Sequence, residues 1–151
     1  MLKTKIAVFV SGGGTNFEAL INAQENGKIP HGEIVLMVSS SKTAYALKRA
    51  ENHGIKSVVC SKKELGSQES FEKEILKNLE ENNIQLIVLA GFMSILSKEF
   101  TKKYENRIIN IHPSLIPSFC GEGFYGLHVH EAALKKGVKV TGATVHIVNE
   151  I

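Results

Sequence analysis

The sequence has few cysteines, little net charge and no long apolar run, and each shortage excludes a class of protein. Its two cysteines, Cys60 and Cys120, form no C-x-x-C arrangement, which excludes a disulfide framework and a zinc site. We interpret them as free thiols in a reducing compartment. No apolar stretch approaches the roughly 18 residues that a membrane helix needs.

Charges of both signs are mixed along the chain and leave a formal net charge of only +3. Because no basic stripe is present, we expect no nucleic-acid partner, and because no long apolar stretch is present, we expect no membrane partner. Residues 1–5 lead directly into a strand-like run and lack the features of a signal peptide, which predicts a cytoplasmic protein. The slightly basic surface suits an anionic small-molecule substrate, and the sequence leaves open a monomer or a homodimer.

The length of 151 residues predicts a single domain in which apolar runs alternate with helical patterns. The predicted strands are 6–10, 34–38, 57–60, 84–90, 107–112 and 138–148. The predicted helices are 15–26, 43–53, one capped by Ser67, 97–104 and 131–136. This order predicts an α/β fold, with a Rossmann-like, mostly parallel sheet and helices on both faces. Ligands bind beyond the carboxyl ends of such strands, so we expect the chemistry after Val10, Ala90, Asn110 and Val145.

A glycine-rich loop, Ser11-Gly12-Gly13-Gly14-Thr15-Asn16, follows the first strand. Glycines let the backbone approach a ligand, and the free amides where a helix opens favour an anion. No lysine follows the glycines as in a Walker loop, and Phe17 occupies the third glycine position of a dinucleotide loop. A monophosphate is the simplest ligand, with Gly14, Thr15 and Asn16 holding it; the alternative is a tight turn that holds nothing.

Two polar residues, Asn110 and His112, alternate with isoleucines at the end of the fifth predicted strand. Side chains alternate across a strand, so this amide and imidazole lie on the same face. Acyl transfer can use both, because the amide donates to a forming oxyanion and a protonated imidazole passes a proton to the leaving amine. The alternative is a structural Asn–His pair. Ser114 and Cys120 fit a nucleophilic mechanism less well.

Four separated motifs resemble those of the folate-dependent formyltransferases. The segment 110–117 resembles their N-I-H-P-S-L-L-P signature, and residues 142–146 resemble a G-x-[ST]-V-H strand. Residues 11–16 and 89–97 are similar to the phosphate loop and the L-A-G-F-M-x-I-L-S segment of the glycinamide ribonucleotide transformylases in particular. The resemblance implies formyl transfer from 10-formyltetrahydrofolate to the amine of 5′-phosphoribosylglycinamide in purine synthesis, without a metal.

The resemblance also implies roles for individual residues. Asn110 and His112 form the catalytic pair, with His112 as proton donor. The pterin of the formyl donor contacts a segment that supplies mainly backbone groups, and Gln68 stands near the folate tail. The residues of that segment are Met93, Ser94, Ile95 and Leu96. Core packing is the alternative for Met93, Ile95 and Leu96. Thr144 and His146 share one face of the last strand and support the pair, or serve only the core or the surface.

The sequence departs from the family pattern at several places. The family carries a third catalytic residue, an Asp, just beyond the point where this chain ends at Ile151. We therefore expect a single formyltransferase domain, 1–151, without its C-terminal elements and with little activity by itself. Ser94 and Gln68 stand where some relatives carry Arg. The loop 118–126 is long enough for a lid or a surface insertion.

Two rival functions stay open at this point. Another formyltransferase of the superfamily would act on methionyl-tRNA or on a sugar nucleotide. An inactive fragment that binds a phosphorylated ligand would use the glycine-rich loop without catalysis.

Overall fold

A computed structural model describes residues 2–112 and 144–148 of the chain. In the described part, strands alternate with helices along almost the whole chain. The strands are β1 (Thr4–Val10), β2 (Gly32–Ser39), β3 (Lys56–Val59), β4 (Leu86–Leu89), β5 (Ile108–His112) and β6 (Thr144–Ile147). The helices are α1 (Thr15–Glu25), α2 (Ala46–Asn52), α3 (Lys62–Leu65), α4 (Gln68–Glu81) and α5 (Lys98–Lys103).

The six strands form one sheet in the order β3-β2-β1-β4-β5-β6. All neighbouring pairs are parallel except β5 and β6, which are antiparallel. The prediction of a mostly parallel Rossmann-like sheet is confirmed. The sequence reasoning placed the carboxyl end of the last strand at the same edge as the others, and this is wrong, because β6 runs in the opposite direction and places its amino end, at Thr144, beside the carboxyl end of β5. The expectation of chemistry after Val145 stays a prediction.

The sheet is covered by helices on both faces, as the sequence predicts. Ala7 and Phe9 of β1 belong to a core cluster that includes side chains of α4 and α5. Ile6 and Val8 alternate with them and pack in a second cluster with side chains of α1 and α2. The central strands are therefore buried on both sides, which explains their continuous apolar runs.

Helix boundaries agree with the predicted caps in most places. The Ser67 and Ser97 hydroxyls accept hydrogen bonds from backbone amides in the first turns of α4 and α5. The predicted start of the second helix at Thr43 is wrong, because the amide of Ala46 donates to Gly12 O of the glycine-rich loop and α2 begins there. Helix α3 was not predicted. The predicted helix 131–136 and the loop 118–126 lie outside the described residues.

Candidate active site

The glycine-rich loop opens α1 without any side-chain cap. Gly14 occupies the cap position with φ 76° and has no side chain to bond the first helical amides. Thr15 and Asn16, which follow it, are exposed to solvent. The first-turn amides of α1 and the positive end of the helix dipole therefore face an accessible surface, which is the arrangement that binds a phosphate.

Gly14 is also required by packing, a reason that the sequence does not reveal. A Cβ atom at this position would lie 2.8 Å from the Ala46 Cβ, at the start of α2. Gly12 and Gly13, by contrast, have no atom within 4 Å of a built Cβ. The first two glycines leave open space around the loop, while the third lets α1 and α2 approach each other.

Arg49 of α2 is hydrogen-bonded to the backbone of the glycine-rich loop. Its Nε donates to the Gly13 carbonyl oxygen over 2.7 Å. The guanidinium also lies over the Tyr45 ring, 4.9 Å from its centroid, and 3.8 Å from Glu18 Oε2. A planar guanidinium with several fixed contacts restrains the loop more than a flexible ammonium could.

His53 completes this charged cluster between α1 and α2. Its Nε2 lies 2.9 Å from Glu18 Oε1, and its Nδ1 lies 3.1 Å from Glu25 Oε1. The hydrogen bond to Glu18, assisted by the one to Glu25, raises the pKa of His53 above its ordinary value of 6.5. His53, at the end of α2, therefore joins this helix to two carboxylates of α1.

Ser11 links the glycine-rich loop to the segment that follows β4. Its backbone amide donates to Gly91 O over 3.1 Å, and its hydroxyl accepts from the Met93 amide over 2.7 Å. The same hydroxyl lies 2.5 Å from the Ser40 hydroxyl at the end of β2. The predicted phosphate loop is thus hydrogen-bonded to the segment that is predicted to contact the pterin.

The segment 91–97, which we call the β4 loop, has alternate residues turned to the core and to the surface. Phe92 and Leu96 pack against the core cluster under α4. Met93 and Ile95 are exposed to 54% and 83%. The alternative of core packing therefore holds for Leu96 but fails for Met93 and Ile95, whose apolar surface is available to a ligand.

Gln68 uses its amide hydrogens within the protein. Its Nε2 lies 2.9 Å from the carbonyl oxygen of Ile95 and 2.8 Å from Glu72 Oε2. The side chain thus braces the β4 loop where the sequence predicted a contact with the folate tail. Its direct contact with a formyl donor stays a prediction.

Asn110 lies at the carboxyl end of β5, opposite His146 of β6. The Asn110 Nδ2 is 3.2 Å from His146 Nε2, so one amide hydrogen is directed at this ring nitrogen, which accepts it in the Nδ1–H tautomer. The second hydrogen of the Asn110 amide does not bond His146 and can be donated to another acceptor. This contact is consistent with the predicted support of Asn110 by His146, and the role itself stays a prediction.

The strand pairing places Asn110 and the glycine-rich loop at the same edge of the sheet. Asn110 pairs with Leu89 in the strand next to β1, and β1 leads into the glycine-rich loop. With about 4.8 Å between strands, Asn110 and the end of β1 are roughly 10 Å apart. For His112 and Thr144 the strand backbone alone is described, so the roles of these two side chains stay predictions.

Comparison of the chain with known protein families and structures identifies its family. A family model described as formyl transferase matches residues 4–151. The chain belongs to the formyl transferase family. The resemblance inferred from its motifs is therefore confirmed.

The relatives that this member of the formyl transferase family matches include longer proteins. It is 47% identical over 148 residues to the trifunctional purine biosynthetic protein adenosine-3 of Gallus gallus, covering 98% of the chain and 14% of that protein. It is 35% identical to the chloroplastic phosphoribosylglycinamide formyltransferase of Arabidopsis thaliana, covering 98% of the chain and 51% of the relative. The chain thus spans about half the length, or less, of these relatives.

Solved structures share its fold. Glycinamide ribonucleotide transformylase 1 of Geobacillus kaustophilus superposes with a TM-score of 0.89 at 38% identity, covering 99% of this chain and 76% of that one.

Within the described residues of the chain, no cluster of three or more metal-ligating side chains occurs. None of its described helices has the length and apolarity to cross a membrane. Burial raises the pKa of the Cys60 thiol to about 11, so this cysteine is protonated near neutral pH and is a poor nucleophile. Cys120 lies outside the described residues.

Sequence reasoning missed three side chains that shape the candidate site. Ser11 was included in the glycine-rich loop without a role for its hydroxyl, and Arg49 was not singled out. Glu72 interrupts the buried face of α4, beside Phe71 and Ile75. A charge at that position was the signal that could have revealed it.

Proposed function

We propose that the protein transfers a formyl group from 10-formyltetrahydrofolate to the amine of 5′-phosphoribosylglycinamide. The observation that carries the proposal is the shared edge: an uncapped helix N-terminus, an exposed apolar loop and the Asn110 amide meet at the carboxyl ends of β1, β4 and β5. These three features suit a phosphate, a pterin and a reacting carbonyl in that order.

The phosphate of the acceptor binds the opening of α1 in this proposal. Gly14, Thr15 and Asn16 present backbone amides there, and Arg49 fixes the loop through Gly13 O. Binding a phosphate through backbone amides requires no cationic side chain in direct contact. This agrees with the lack of a lysine after the glycines.

The formyl donor lies along the β4 loop. Met93 and Ile95 offer exposed apolar contact to its pterin, and the loop backbone supplies polar groups. A mostly apolar surface with a few fixed polar groups is the usual composition of such sites. Ser94 and Leu96 complete the segment proposed to line the pterin.

In the reaction, the amine nitrogen attacks the formyl carbon, and the carbonyl electron pair moves to oxygen. The Asn110 amide hydrogen that His146 leaves unused donates to this oxyanion. Collapse breaks the bond between the formyl carbon and N10 of the folate, whose electron pair takes a proton from His112. The attacking nitrogen loses a proton, so charge and atoms balance.

The test compares acceptors and an isosteric variant in the full-length protein that the gene encodes. We expect formyl transfer to 5′-phosphoribosylglycinamide and none to methionyl-tRNA or to an amino sugar nucleotide. Asn110→Asp replaces the donor by a charged acceptor and should lower kcat by about 10²–10³-fold. Asn22→Asp, on the exposed side of α1, is the matched control and should leave kcat unchanged.

Transfer to methionyl-tRNA or to the sugar nucleotide instead would refute the acceptor. Phosphate-ligand binding without any turnover in the full-length protein would favour a non-catalytic binding function.

A further inference from the structure

Glu72 is a buried carboxylate that the catalytic proposal does not use. It lies on α4 and is only 8% exposed, on the face where Phe71, Ile75 and Leu79 enter the core. Burying a carboxylate costs free energy unless its oxygens are well satisfied. The hydrogen bonds of its two oxygens therefore show what offsets this cost.

Both carboxylate oxygens of Glu72 bind the end of the β4 loop. Oε2 accepts from the Ser97 amide over 2.6 Å, and Oε1 accepts from the Ser97 hydroxyl over 2.5 Å. Oε2 also accepts from Gln68 Nε2, which donates in turn to Ile95 O. One side chain thus fixes the loop at Ser97 directly and at Ile95 through Gln68.

The opposite end of the loop is held by a different group, the Ser11 hydroxyl, which accepts from the Met93 amide. The exposed residues Met93 and Ile95 therefore lie between two anchors. Without the Glu72 anchor, the Ser97 amide and the Gln68 side chain would lose their shared acceptor. The loop would keep its bonds to Ser11, the partly buried side chains of Phe92 and Leu96, and the bonds by which Ser97 caps α5.

We propose that Glu72 is a positioning residue for the formyl-donor site, which holds the backbone of the β4 loop in its binding conformation through Ser97 and Gln68. The inference rests on the proposed function, because it assumes that the folate binds this loop. Glu72 itself does not touch the reacting atoms.

The hydrogen-bond geometry makes acceptor capacity at Glu72, rather than its charge, the decisive property. In Glu72→Gln, the glutamine oxygen can take the place of Oε2 and accept from both Ser97 N and Gln68 Nε2. Its amide nitrogen can donate to the Ser97 hydroxyl oxygen. In Glu72→Leu, of similar size, no acceptor remains, and the Ser97 amide loses its partner.

The test measures tetrahydrofolate and 5′-phosphoribosylglycinamide binding by calorimetry in wild type, Glu72→Leu and Glu72→Gln. We expect Glu72→Leu to raise the Kd of tetrahydrofolate by about tenfold or more, and Glu72→Gln by less than about threefold. The Kd of the phosphorylated acceptor should stay unchanged in both. Glu69→Leu, an exposed position on the same helix, is the control and should change neither Kd.

The outcomes separate this inference from the proposed function. If wild type binds no tetrahydrofolate, the proposed function fails and the inference with it. If wild type binds and Glu72→Leu binds equally well, the inference alone is wrong. If Glu72→Gln loses affinity as strongly as Glu72→Leu, the charge and not the hydrogen-bond geometry positions the loop, which also overturns it.

A measurement on the wild type covers the case in which Glu72→Leu does not fold. The Ser97 amide, bonded to a buried carboxylate, should exchange its hydrogen about as slowly as the amides of β4. Rapid exchange at Ser97 in the native protein would contradict the anchor.

Discussion

The two loops at the reactive edge of the sheet are held in opposite ways. The glycine-rich loop after β1 depends on backbone conformation, with Gly14 at φ 76° against Ala46 and Gly13 O held by Arg49. The β4 loop depends on side chains, with Phe92 packed against the core and Glu72 bonded to Ser97.

The difference follows from what each loop has to present. A phosphate is bound by backbone amides, so the first loop must keep side chains away and is built of glycines. A pterin needs apolar contact area, so the second loop must expose Met93 and Ile95 while other side chains hold its backbone. Substitutions should therefore damage the two ligand affinities separately.

The largest effect is expected for Gly14→Ala. The positive φ and the contact of the new Cβ with Ala46 should destabilise the protein by about 3 kcal/mol and strongly weaken binding of the phosphorylated acceptor. Urea denaturation and calorimetry measure the two effects. Gly12→Ala, where no atom lies within 4 Å of the new Cβ, is the control for stability. Equal stability of the two variants would contradict the packing role of Gly14.

Phe92→Ala should have the next largest effect, on the other loop. The ring contacts Phe9 at 5.2 Å and Phe71 at 6.5 Å between centroids, and its partial burial makes the loss about 2 kcal/mol. We expect weaker tetrahydrofolate binding and unchanged affinity for the phosphorylated acceptor. Ile95→Ala, at an exposed site, should change stability by less than about 0.5 kcal/mol. A loss of both ligand affinities in Phe92→Ala would show that the loops are not independent.

Arg49→Met should have a smaller effect, confined to the glycine-rich loop. It keeps an apolar stem but removes the hydrogen bond to Gly13 O, and one net hydrogen bond to a charged group is worth about 1.5 kcal/mol. We expect affinity for the phosphorylated acceptor to fall several-fold while tetrahydrofolate affinity is kept. Lys48→Met, on the exposed side of α2, is the control. Unchanged acceptor affinity in Arg49→Met would remove Arg49 from the account.

The smallest effect concerns pH and His53. Its raised pKa stabilises the fold fully below the unfolded value of 6.5, and this contribution disappears as the pH rises through the higher folded value. The urea midpoint of wild type should therefore fall relative to His53→Gln above pH 6.5. Parallel midpoints across this range would show that the contacts with Glu18 and Glu25 do not stabilise the protein.

The sequence predicted the parts of this architecture that depend on local patterns. Apolar runs located the strands, and Ser67 and Ser97 located two helix starts, because capping is a short-range effect. The antiparallel direction of β6 could not be predicted, because it depends on long-range pairing with β5 and not on a local pattern. The predicted start of α2 was wrong for a similar reason. The helix begins where the Ala46 amide donates to Gly12 O, 34 residues away in the sequence.

The candidate site divides in the same way. Gly14 and Asn110 could be predicted, because each stands in a motif at the end of a strand. The roles of Arg49 and Glu72 could not, since both act on loops that are distant in sequence. A charge on an otherwise apolar helix face marks Glu72 as unusual, but only the fold shows that Ser97 is its partner.

The most direct test of the shared edge is amide chemical-shift mapping by NMR, with the two ligands added in turn to the protein. We expect 5′-phosphoribosylglycinamide to shift the backbone amides of Gly14, Thr15 and Asn16, and tetrahydrofolate to shift those of residues 91–97. Both ligands together should shift the side-chain amide of Asn110. Shifts centred on the opposite edge of the sheet, around Gln85, with Asn110 unaffected, would contradict the account.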